Sequence, residues 1–123
     1  MVYHYLSEES YWSKNIPLEL VKRSFENSVC FSLFYMDKQV GFARAITDKA
    51  TYGYLADVFI LQAYRGKGLG RWLMKTILEH EEFKGFRSWM LATKDAHGLY
   101  EKFGFKLTND TTRIMRKQGV EKY

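Results

Sequence analysis

The sequence predicts an α+β fold with one mixed, mostly antiparallel sheet flanked by helices. Three observations carry this. A strand, a glycine-rich turn and a helix run from Leu55 to His80 (LADVFILQAYRGKGLGRWLMKTILEH). A further strand follows that helix, and such a crossover makes its two strands parallel. Two alternating apolar segments around Asp37-Lys38 form a hairpin, which makes the earlier pairings antiparallel.

The elements follow in order. Tyr3 to Asn15 holds Tyr3, Tyr5, Leu6, Tyr11 and Trp12 around Glu8 and Glu9, which suits a short helix or an ordered aromatic loop. Pro17 fits a helix start, and Leu18, Val21 and Phe25 continue at helical spacing to about Asn27. Val29–Met36 and Val40–Ile46 are the hairpin strands, with Asp37-Lys38 as the turn. Cys30 on the first of them reads as a small core residue. Thr51–Leu61 is nearly continuously apolar at its end, as a central strand covered on both faces would be. Leu69, Trp72, Leu73, Thr76, Ile77 and His80 share one face of a helix running to about Glu82. Phe86–Thr93 is the next strand. Asp95 is placed to cap a helix over Ala96–Phe103, and Gly104 to close it. Phe105–Leu107 and Thr111–Arg116 can pair as a last hairpin across Asn109-Asp110. The order is α-α-β-β-β-α-β-α-β-β. No repeat or composition shift divides the 123 residues, so one domain over 1–123 is expected.

Composition narrows the function classes. No apolar run approaches the ~18 residues a membrane span needs, and MVYHYLSEES lacks a signal peptide's layout. One cysteine permits no internal disulfide and no metal cluster, so a reducing, cytoplasmic setting is the default. The net charge of +5 suggests an anionic partner, which nucleic acid or a phosphate-bearing cofactor would satisfy equally, beside the plain alternative of a solvated basic surface.

The glycine turn is a candidate anion site, with an ordinary strand–helix turn as the alternative. In Arg65-Gly66-Lys67-Gly68-Leu69-Gly70-Arg71 the glycines permit positive φ and close approach of a ligand to the amides, while the basic side chains add charge. A P-loop needs Ser or Thr after Gly-Lys, and here Gly68 follows Lys67. The dinucleotide fingerprint needs an early βαβ unit and an acidic residue downstream. Neither pattern is met.

The Arg65-x-x-Gly68-x-Gly70 spacing after a strand resembles the acetyl-CoA-binding motif of the GNAT superfamily of N-acetyltransferases. Ala96-His97-Gly98-Leu99-Tyr100-Glu101-Lys102-Phe103-Gly104-Phe105 resembles that family's downstream segment. The likeness covers about Phe31 to Phe105. It implies a GNAT-like fold with a splayed parallel strand pair at the cofactor site, and acetyl-CoA as co-substrate with no metal. It maps the pyrophosphate loop onto Arg65 to Arg71 and the pantetheine arm onto the backbone of Val58, Phe59, Ile60 and Leu61. Thr93 stands where the family often has an asparagine that contacts the cofactor arm. The family's thiolate-protonating tyrosine maps onto Tyr100.

Acetyl transfer needs a neutral amine, a donor for the oxyanion and a proton for the thiolate. An amide near Phe59 or Ile60 could be the donor. Tyr100, with a reference pKa of about 10, is protonated at neutral pH. Asp57, among few ionisable groups on the central strand, could take the amine's proton, hold a cationic acceptor, or simply pair with a basic residue. His97 reads as a surface or packing residue. The resemblance implies an acceptor wall of Tyr5, Tyr11, Trp12, Tyr52 and Tyr54, whose rings with Glu8 or Glu9 nearby could receive an ammonium group; an aromatic core beside exposed acids is the alternative.

The family usually opens with a strand. Here at most Val2 to Tyr5 could supply a stub, which leaves a sheet edge that a second copy could cover in a homodimer. The expected activity is N-acetylation of a small-molecule primary amine by direct attack in a ternary complex. The alternative is a non-catalytic acyl-CoA sensor or interaction module. Nucleic acid is not an expected partner, because the basic residues lie partly on the turn, where CoA phosphates account for them, and the lack of a long apolar run argues against a membrane.

Overall fold

A computed structural model describes residues 1–108 and 112–123. Its sheet has four strands in the order β1-β2-β3-β4: β1 (Val29–Tyr35), β2 (Lys38–Thr47), β3 (Tyr52–Ile60) and β4 (Ser88–Leu91). The pairs β1/β2 and β2/β3 are antiparallel, and β3/β4 is parallel. This is the mixed sheet expected from the hairpin and the crossover. The hairpin turn is Met36-Asp37, both at positive φ, one residue earlier than the sequence suggests. That backbone matches the right-handed twist of the strands it joins.

Helices cover both faces. On one side pack α1 (Val2–His4), its continuation as a π-helical turn (Tyr5–Glu9), and α2 (Leu18–Glu26), burying Val2, Tyr5, Leu6 and Val21 against Phe42 and Phe59. On the other lie α3 (Leu69–Leu78) and α4 (His97–Glu101), burying Leu73, Met74, Ile77 and Tyr100 against Ala43, Ala45 and Leu55. Each large aliphatic side chain so buried contributes about 1.5–3 kcal/mol. Ala43 and Ala45 leave room on the sheet for α3. Gly53 lets the Trp89 ring lie on β3, since a Cβ there would stand 2.5 Å from it.

Several expectations need correction. Val2–His4 is helical, so it supplies no strand stub. Its apolar residues at i, i+3 and i+4, namely Val2, Tyr5 and Leu6, turn inward together. Trp72 is 57% exposed, and α3 instead buries Leu73, Met74 and Ile77. That helix stops at Leu78, where His80 turns extended and its ring nitrogen accepts from the Glu82 amide. Cys30 is exposed, on the opposite side of β1 from buried Leu33. Residues 105–107 and 112–116 carry no strand, and the proposed Asn109-Asp110 turn lies outside the described residues with Thr111. Among the described residues, β1 and β4 are therefore the sheet's edges.

Two local features prepare the site. The β2/β3 register slips between Phe42↔Phe59 and Arg44↔Ala56, so β3 carries one extra residue there. Asp57 sits in this bulge at φ 54°, a left-handed conformation that aspartate tolerates better than most residues. The second feature is the partial pairing of β3 and β4. Their ladder runs from Tyr52↔Ser88 to Leu55↔Leu91 and stops, while β3 continues to Ile60. Beyond Leu55 the two strands separate.

Candidate functional site

The gap between the separating strands opens into a cavity of about 550 Å³. Its floor is Leu55 to Val58 of β3 and the chain from Leu91 to Ala96, and Tyr100 lines it from α4. Tyr11 and Trp12 close it from the N-terminal segment, with Arg44, Ile46 and Tyr54 on the remaining wall.

The sequence around Tyr100 explains why that side chain is held so firmly. Gly104, at φ 91°, ends the helix by letting the Gly104 amide donate to the Glu101 carbonyl and the Phe105 amide to the Tyr100 carbonyl. This double closure is the Schellman arrangement, which brings an apolar residue after the helix onto one in its last turn. Here Phe105 meets Tyr100 edge-on, ring centroids 6.0 Å apart. Tyr100 is 7% exposed, yet its hydroxyl makes no hydrogen bond among the described residues. Among the described residues no buried side-chain oxygen lacks a partner, so this hydroxyl keeps access to open space. Burial, with smaller contributions from nearby Tyr11 and Asp95, pushes its pKa up to about 12.

Asp57 is engaged on both oxygens. Oδ2 accepts from Arg44 Nε at 2.8 Å and Oδ1 from Trp12 Nε1 at 3.0 Å. The pair is largely buried, with side-chain exposures of 14% for Arg44 and 8% for Asp57. Arg44 Nη1 donates in turn to Ser28 Oγ at 3.0 Å. Across the gap, the Lys94 amide donates to the Tyr11 hydroxyl at 3.0 Å, and the Lys94 ammonium lies 5.4 Å from that ring's centre. Tyr11 and Trp12 thus form a strap, tied to β3 through Asp57 and to the chain after β4 through Lys94.

Beyond Ile60 a short 3₁₀ turn (Gln62–Tyr64) leads into the glycine turn. Gly66 and Gly68 have φ of 79° and 80°, and an added Cβ at either would face open space. The amides of Gly66, Lys67 and Gly68 donate to no acceptor among the described residues. Lys67 and Arg71 likewise make no ion pair there. Gly68 stands at the N-cap of α3 with no side-chain cap, so the helix's first amides are also free for an anion. The donor set fits a pyrophosphate, and the stretch of β3 beyond Leu55, paired with β2 but not with β4, fits an extended arm between the strands. A family profile for the Acetyltransferase (GNAT) family covers residues 1–105. The chain belongs to the GNAT family.

Its relatives extend the likeness. A GNAT-family protein from Xanthomonas campestris is 42% identical, with a TM-score of 0.91 over 96% of this chain and 83% of that one. An uncharacterized N-acetyltransferase of Gracilaria tenuistipitata is 34% identical over 105 residues, 80% of this chain. A Gibberella zeae protein that carries an acetyltransferase name is 31% identical over 117 residues, 78% of this chain. The chain spans 65% of the Gibberella protein and 58% of the Gracilaria one. A GNAT acetyltransferase from Elizabethkingia anophelis with acetyl-CoA bound shares the fold at 16% identity and a TM-score of 0.63.

Within this GNAT domain the expected site residues divide. Tyr11, Trp12, Tyr54, Asp57, Val58, Thr93 and Tyr100 meet at the cavity. Tyr5 does not line it. Its ring stacks on Phe59 at 3.8 Å, and its hydroxyl accepts from Arg65 Nη2 at 3.0 Å. Arg65 also donates from Nε to the Ile60 carbonyl, so its guanidinium braces the turn from inside. Tyr52 lies opposite Ser88 at the far end of β3, outside the cavity. Thr93 accepts the Ala96 amide on its hydroxyl at 3.0 Å and so starts α4. Sequence reasoning missed Arg44 and Lys94. Arg44's partner depends on a bulge that no local pattern announces, and Lys94 reads as an ordinary loop cation.

Proposed function

We propose that this domain transfers the acetyl group of acetyl-CoA to the primary amine of a small molecule, by direct attack while both are bound. The observation that carries this is the separation of β3 from β4 over a cavity whose wall holds an unbonded, protonated phenol. Acetyl-CoA supplies the activated acyl thioester. Val58 to Ile60 offer backbone to its pantetheine arm, whereas the expected contact at Leu61 is not available, because its amide donates to the Val40 carbonyl and its carbonyl accepts from the Tyr64 amide. The Gly66, Lys67 and Gly68 amides, the start of α3 at Leu69 and Gly70, and the Lys67 and Arg71 cations offer charge to its phosphates. As the amine nitrogen bonds to the carbonyl carbon, an amide near Phe59 or Ile60 receives the developing oxyanion. As the C–S bond breaks, Tyr100 gives its proton to the sulfur, and the nitrogen's surplus proton leaves to solvent, from which Tyr100 is reprotonated. Asp57 holds Trp12 and Arg44 in the cavity wall.

Thiol release from acetyl-CoA across a panel of small primary amines tests this. The expected result is release that rises with amine and saturates. Tight binding of CoA with no amine-dependent release would instead support an acyl-CoA sensor.

A further inference from the structure

Asp95 lines the cavity beside Lys94 and Tyr100, but it does not cap α4 as the sequence suggests. Ala96 occupies the N-cap position, and Thr93 takes up its amide. The neighbouring residues are each held: Thr93 by that bond, and Lys94 through its amide and ammonium on Tyr11. Asp95 is exposed and makes no hydrogen bond or ion pair among the described residues.

The charges that face it sort cleanly. Arg44 and Asp57 neutralise one another. Lys94 lies over the Tyr11 ring. Tyr11, Tyr54 and Tyr100 also line the cavity. Asp95 is left as the cavity's carboxylate without a hydrogen bond or ion pair among the described residues, in a cavity that Lys94 and the rings of Tyr11, Trp12 and Tyr54 also line.

We propose that Asp95 binds the ammonium group of the acceptor, and that the acceptor is a compact primary amine, cationic at neutral pH, with an apolar or aromatic body. The carboxylate provides charge and hydrogen-bond acceptors, and the rings provide cation–π contact and apolar area. The inference gives a substrate class to the reaction proposed above and rests on that reading for its meaning, but its test does not require turnover.

The probes are 2-phenylethylamine and 2-phenylethanol, which share a body and differ in charge. Binding of each to the CoA-saturated full chain is followed by NMR titration. The unaltered protein should bind the amine about fivefold more tightly than the alcohol, the upper range for an ion pair open to solvent. This preference should shrink in 1 M salt, where the screening length falls to about 3 Å. Asp95→Asn should bind both equally, and Asp95→Glu should restore the preference. Equal binding by the unaltered protein, no binding of the amine, or a preference that survives in Asp95→Asn would overturn the assignment. Thiol release that still responds to amines would then leave acetyl transfer standing without it.

Discussion

Replacing Tyr100 with phenylalanine is expected to lower kcat about a hundredfold or more, the usual scale for losing a positioned proton donor. The ring remains, and with it the contact to Phe105, so folding and acetyl-CoA affinity should hardly change. Steady-state kinetics beside a urea melt would separate the two effects. An unchanged kcat would remove Tyr100 from the chemistry. The pH profile gives a second check. Burial lifts the folded-state pKa to about 12, above the ordinary value of about 10. A raised pKa means the folded chain holds this proton more tightly. Its stabilising effect is complete below about pH 10 and is lost as pH rises toward 12. The donor therefore stays loaded through mildly alkaline pH, and kcat should show no fall from this group below about pH 11.

Replacing Asp57 with alanine is expected to cost about 3 kcal/mol of stability. The reason is the partner it leaves behind. Arg44 is 14% exposed, and without Asp57 its buried charge has only Ser28 opposite. Alanine also tolerates the left-handed backbone of the bulge less well than aspartate does. The double variant Asp57→Ala with Arg44→Leu should lose less than the two single variants added together, because it removes both charges. Equilibrium urea unfolding checks this. A loss under 1 kcal/mol for Asp57→Ala would show the pair to be far more hydrated than its burial indicates. Trp12 would also lose its acceptor on β3, so the strap over the cavity should loosen, which Trp12 fluorescence against a Trp12→Phe background would report.

Much of the framework was legible because it rests on strong periodic signals. The hairpin strands alternate, β3 is apolar on both faces, and the crossover fixes a parallel pair. The glycine turn was legible through φ: Gly66 and Gly68 adopt the positive values that only glycine takes freely. Gly104 declared the closure that seats Tyr100. Other features depend on tertiary contacts. Two stripes compete on α3, and placing Trp72 inside follows hydrophobicity, whereas sheet positions as small as Ala43 and Ala45 admit Leu73, Met74 and Ile77. Tyr5 appears in sequence as one of several N-terminal aromatics, and nothing local shows that it stacks on Phe59 and carries Arg65. The Arg44–Asp57 pair needs the β3 bulge. Asp95 sits in a good capping position, but the helix starts one residue later, with Ala96 as its N-cap.

The proposed CoA site lies in the gap between β3 and β4 together with the glycine turn. A CoA titration followed by backbone amide shifts tests it most directly, because a second cavity of about 680 Å³ lies along β4, lined by residues such as Trp89, Glu101 and Leu107. The expected shifts fall on Val58 to Ile60 and on Gly66 to Arg71. Shifts confined to the second cavity, with the glycine turn silent, would contradict the account.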